Sequence, residues 1–73
     1  MSLTALIWLP KASLLHVVMV TDDTKSLAQR PLPYGSPQPE TADVHLRELG
    51  YIRVGGWHES PPDGWWCTVR PLQ

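Results

Sequence analysis

The chain predicts an α+β fold, a small single domain in the order β-β-loop-α-β-β whose one antiparallel sheet carries one helix packed on a face. Two pairs of short apolar runs predict the sheet, each joined by a turn signal, at Pro10-Lys11-Ala12-Ser13 and at Ser60-Pro61-Pro62-Asp63-Gly64. Between the pairs, Ala42, Leu46 and Leu49 recur at helical spacing ahead of Gly50, which predicts the helix.

The first hairpin spans residues 3–20. Its runs, Leu3 to Leu9 and Leu14 to Val20, are rich in β-branched and aromatic residues, which suit a pleated surface. Opposing Leu9 to Leu14 puts Thr4, Leu6 and Trp8 with Leu15, Val17 and Met19 on one face. Leu3, Ala5 and Ile7 then share the other face with His16, Val18 and Val20. Both faces are apolar. A strand with one wet face alternates apolar and polar residues, so this hairpin is expected to be covered on two sides.

Residues 21–40 read as a Pro-rich loop. Asp22-Asp23 opens it, and Pro31, Pro33, Pro37 and Pro39 follow, each without the N–H that a ladder needs. So long a connection needs tethering, and one helical turn over Thr24 to Gln29, started by Asp23, is expected. The prolines lack the spacing of a PxxP ligand.

The helix occupies residues 41–50, with Thr41 as N-cap, a body from Ala42 to Leu49 and Gly50 as a left-handed stop. Asp43, Arg47 and Glu48 are expected to face outward, with His45 at the edge of the apolar stripe. The second hairpin, residues 51–70, pairs Tyr51 to Glu59 with Trp65 to Arg70. If Ser60 opposes Trp65, then Ile52, Val54, Gly56, His58, Trp65, Cys67 and Val69 face the helix. Tyr51, Arg53, Gly55, Trp57, Glu59, Trp66, Thr68 and Arg70 then form the outer face. Gly55-Gly56 marks a bulge or a close backbone approach.

At 73 residues, such a domain buries only about 60% of the surface its unfolded chain exposes. Small folds are usually stapled by disulfides, a metal or a partner, and the single cysteine, Cys67, excludes an internal disulfide. A helix of about eight residues is roughly 12 Å long, too short to cover a sheet on both sides. The remaining cover must come from the loop, from a second copy of the chain or from a larger protein partner.

The net charge of −1 gives no strong pull toward nucleic acid or anionic membrane. Pro10, Lys11 and His16 interrupt the N-terminal apolar runs, so neither a membrane span nor a signal peptide is expected. The expected location is cytoplasmic, in keeping with a lone thiol.

No catalytic, cofactor or metal pattern emerges. His16, His45, His58, Cys67 and the Asp22-Asp23 pair lack ligand spacing, and no Gly-rich phosphate loop is present. The proposed register does set His58 opposite Cys67, the minimum for an activated thiolate. A third orienting group is missing, and a buried cysteine behaves as a small hydrophobe. A Cys-His catalyst is therefore a remote alternative, and the chain reads as non-enzymatic with no cofactor.

The outer face of the second hairpin is the feature closest to a site. Tyr51, Arg53, Trp57, Trp66 and Arg70 are the residue types enriched at protein-interface hot spots. The expected function is a small protein-interaction or regulatory accessory module, working as a homodimer or with a larger protein. Stacked aromatics beside arginines also suit single-stranded nucleic acid, the alternative reading. Glu59 and Asp63 oppose it.

The ending LRELGYIRVGGWHESPPDGWWCTVRP, with its Leu-Gly-Tyr step, Val and Trp, and Asp-Gly-Trp turn leading into a Cys-x-Val strand, resembles that of a group of small uncharacterised actinobacterial proteins. The resemblance covers about the last third of the chain. It implies a bacterial intracellular protein and no activity, so it assigns no functional residue.

Overall fold

Strand alternation decides the architecture. Ala5 and Ile7 alternate with Leu6 and Trp8, so the first strand offers apolar side chains to both of its faces. The computed structural model describes residues 3–11, 14–35, 38–61 and 64–72. It contains strands β1 (Leu3–Trp8), β2 (Val17–Thr21), β3 (Ser26–Pro31), β4 (Tyr51–Ser60) and β5 (Gly64–Pro71), and one helix, α1 (Glu40–Leu49). All strands pair antiparallel in one sheet of order β3-β2-β1-β5-β4. The fold is the predicted α+β domain with one antiparallel sheet and one helix on a face, enlarged by one strand. Ala12, Ser13, Pro37, Pro62 and Asp63, which the sequence reading places in turns and the loop, lie outside the described residues.

The added strand corrects the Pro-rich loop. Asp22 starts a tight turn and not a helix, because its Oδ1 accepts the backbone N–H groups of Thr24 at 2.8 Å and Lys25 at 2.9 Å. The same two bonds hold its carboxyl below the usual carboxylate range, that of Thr24 contributing most. The chain then returns along β2 as an edge strand. Pro31 is its last residue, and at an edge a missing N–H is tolerated.

The first hairpin pairs Trp8 with Val17 and Leu6 with Met19, two residues away from the expected register. A shift of two preserves alternation, so the predicted division of faces holds. Ala5, Ile7, Val18 and Val20 are buried under the helix with Leu32, Cys67 and Val69, and Ala42 and Leu46 close the core from α1. The helix links β3 at one edge to β4 at the other and contacts β2, β3 and β4. It starts after Pro39, without the expected Thr41 cap, and ends at Gly50 in the left-handed conformation, φ 100°.

Gly64 is required by space. A Cβ built there would lie 2.7 Å from the Ile7 carbonyl oxygen and 3.1 Å from that of Ser60, both backbone atoms. Gly64→Ala should therefore destabilise the domain by about 1–3 kcal/mol. Gly56→Ala, where a Cβ meets nothing within 4 Å, should change stability by less than about 1 kcal/mol in either direction. Urea unfolding midpoints of the two variants check this.

Candidate functional site

The second hairpin turns one residue earlier than the sequence reading expects, pairing Ser60 with Gly64, Glu59 with Trp65 and His58 with Trp66. Beyond the bulge between Val54 and His58 the offset grows to three, and because alternation has a period of two, either odd offset moves the paired β4 side chains to the opposite face. The five expected interface residues are split by it. Trp66 and Arg70 remain on the outer face, whereas Tyr51, Arg53 and Trp57 turn toward the helix.

Asp43 holds that arrangement. Arg53 donates to its carboxylate through Nε at 2.8 Å and Nη2 at 2.9 Å, and the Trp57 indole donates through Nε1 at 3.0 Å. Nη1 of Arg53 also donates to the Gly55 carbonyl at 2.7 Å. Gly55, at φ 93°, lies in the irregular stretch between Val54 and His58 where β4 bulges, as Gly55-Gly56 suggests. Asp43 thus lies against β4, not outward as expected, and the bidentate pair holds the Arg53 guanidinium charged by raising its pKa. Asp43, Arg53 and Gly55 line a cleft of about 250 Å³ with Leu46, Arg47 and Ile52. At the other edge, Arg30 of β3 pairs with Glu48 of α1.

The outer face is the side opposite α1. One row across the sheet runs Gln29, Met19, Leu6, Trp66, His58. A second, Pro31, Val17, Trp8, flanks it on one side, and a third, Ser26, Thr21, Thr4, Thr68, Val54, on the other. Leu6, Trp8, Val17 and Met19 are half-buried, while Trp66 and Val54 are 39% and 49% exposed. His58 stacks on Trp66 with ring centroids 4.4 Å apart. Ile52 and Arg70 pair beyond the threonines, and Arg70 is the one Lys, Arg, Asp or Glu in these paired positions. Among the described residues, no second layer of secondary structure covers this face.

Sequence reasoning missed Leu6, Trp8, Val17 and Met19 as site residues, although it found both faces of their hairpin apolar. The signal was present in the length of the single helix. The pairing of His58 with Cys67 is absent. Cys67 lies opposite Ala5 on the helix side, fully buried, and its thiol is pushed up from 9.0 to about 11, chiefly by burial and against the nearby Arg53 charge. Among the described residues, no cluster of His, Cys, Asp and Glu could hold a metal ion, and no helix is long and apolar enough to cross a membrane.

Compared with known proteins, the chain matches no family model, no curated protein and no solved structure.

The state of Cys67 yields a pH dependence. Its folded pKa lies above its unfolded value, so the unfolded chain ionises first as pH rises, and stability should fall between about pH 9 and pH 11. Urea midpoints across that range should lose this decline in Cys67→Ala, measured relative to that variant's own value at pH 7. At pH 7 a disulfide reagent should label Cys67 only as fast as the domain opens. Immediate labelling of the native chain would contradict a buried, protonated thiol.

Proposed function

We propose that the chain is a non-enzymatic interaction module, accessory or regulatory in role, that docks a protein on the outer face of its sheet. The observation that supports this reading is the row Met19, Leu6, Trp66, flanked by Val17 and Trp8, half-buried except for the exposed Trp66 and, among the described residues, without a second layer over it. A contiguous, partly exposed apolar patch on a small protein marks a place of association. Trp66 supplies the aromatic anchor and Arg70 the polar rim that such surfaces use. The site therefore moves from the hairpin of β4 and β5 to the centre of the sheet, and Tyr51, Arg53 and Trp57 serve it by packing β4 onto the helix. The buried, protonated thiol of Cys67 suits a structural role and a reducing, cytoplasmic setting.

One observation favours a second reading, binding of single-stranded nucleic acid. The stacked His58 and Trp66 rings share the outer face with Arg70, and stacking on aromatics is how sheet platforms hold bases. The face offers that ligand a single arginine, since Arg53 is engaged by Asp43, and phosphate binding depends on several cations.

The docking reading predicts that Leu6→Glu and Trp66→Glu fold with unchanged circular dichroism, because their side chains meet no core within one chain. Ala5→Glu, one residue along on the helix side, should unfold the domain. In size exclusion of the native extract, the wild-type chain should elute above its own 8.2 kDa and the two outer-face variants at it. Variants that unfold like Ala5→Glu, or that elute with the wild type, contradict the reading. Salt-dependent anisotropy with a mixed single-stranded oligonucleotide, lost in Arg70→Ala and Trp66→Ala, would establish the nucleic-acid reading instead.

A further inference from the structure

We infer that the occupant of the outer face is a second copy of the same chain, packed sheet to sheet about a two-fold axis running close to β1. The inference rests on the docking reading and names its partner.

Size is the first support. Five strands about 4.8 Å apart, each offering about six residues at about 3.4 Å, give a face of about 24 Å by 20 Å, so two copies bury on the order of 1,000 Å², the lower limit for a biological interface and the size of a reversible one. The sheet alone supplies that area, with no contribution from the loops.

Self-complementarity is the second. β1 is the middle strand of five, so a two-fold along it lays β1 on β1, β2 on β5 and β3 on β4 of the second copy. Leu6 then meets its own equivalent at the axis. Met19 faces Trp66 of the second copy, a favourable sulfur-to-aromatic contact, and the threonine row faces threonines. No lysine or carboxylate occupies the three central rows, so no charge is buried unpaired.

Charge placement at the rim is the third. Arg70 lies on β5 two residues past Thr68, and Asp23 stands in the turn that follows Thr21, at the same end of the sheet. The same axis brings Arg70 of each copy toward Asp23 of the other. Asp22 is committed to its own turn, whereas Asp23 is exposed. Opposite charges at a rim steer and orient association.

Sedimentation equilibrium of the full chain should give twice its 8.2 kDa mass, falling to one copy in Leu6→Glu. Leu6→Cys should cross-link to a covalent dimer under mild oxidation, while Val44→Cys, on the exposed side of α1 and 59% exposed, should not. Arg70→Glu and Asp23→Arg should each weaken dimerisation by about tenfold, because symmetry repeats the pair twice, and together should restore it. A chain that stays single at high concentration overturns the assignment. So does a dimer in which Leu6→Cys cross-links no better than Val44→Cys. Failure of the docking reading is separable with a hydrophobic dye. Dye bound by the single wild-type chain and lost in Leu6→Glu leaves the face open to another protein. Dye bound by neither overturns the docking face as well.

Discussion

Strand β1 is hydrogen-bonded on both sides, to β2 and β5, and apolar on both faces, and one short helix has to meet that demand. Ala5 and Ile7 go to zero and 1% exposure under α1. Leu6 and Trp8, their alternates, receive no equivalent layer from the described residues. The remaining elements arrange themselves around this asymmetry. β3 and β4 form the two edges, and the segment between them must pass over one face, so the helix it contains covers the Ala5 side. Among the described residues one helix is the whole of the covering layer, so the apolar side chains on the other side are a surplus.

Asp43 converts this plan into a particular surface. By taking Arg53 and Trp57 onto the helix side, it seats the bulged β4 against α1. It also withdraws a cation and an indole from the outer face, leaving that face nearly neutral. Arg53 and Asp43 are each about one-third exposed at the side chain, so the pair contributes on the order of 1 kcal/mol of stability and chiefly sets orientation. The face that results is suited to an apolar partner more than to a polyanion. Its central row is Met, Leu and Trp, its flank is threonine, and its arginine stands at the rim.

Much of the fold was legible because it followed from patterns that sterics enforce. The two hairpins, the stripe of Ala42, Leu46 and Leu49, and the stop at Gly50 are all of this kind. The first hairpin survived an error of two residues in register because alternation repeats every two. The second did not survive an error of one, and with it went the sequence-based site. In the observed register Gly64 passes so close to the Ile7 carbonyl that no Cβ fits, a long-range crowding between β1 and β5 that local turn chemistry does not reveal. Strand β3 was hidden for a related reason. Proline counts weigh against a strand, yet Pro31 costs little at the end of an edge strand, and edge position is a property of the assembled sheet. Asp43 reads as a solvated helix charge until β4 is in place beside it. The outer face was legible in part: the two-sided apolar pattern announced that cover was missing, while which side lacked it depended on where the helix crossed.

Within a single chain Trp66 is exposed and Leu6 and Met19 are only half-buried, while Ile7, Val18 and Val20 are sealed. Hydroxyl-radical footprinting of the chain, dilute enough to hold it as one copy and read residue by residue, tests this directly. Leu6, Met19 and Trp66 should be modified faster than Ile7, Val18 and Val20, which should be protected. Equal protection of both sets would mean that the chain covers its own outer face and leaves no surface there for a partner.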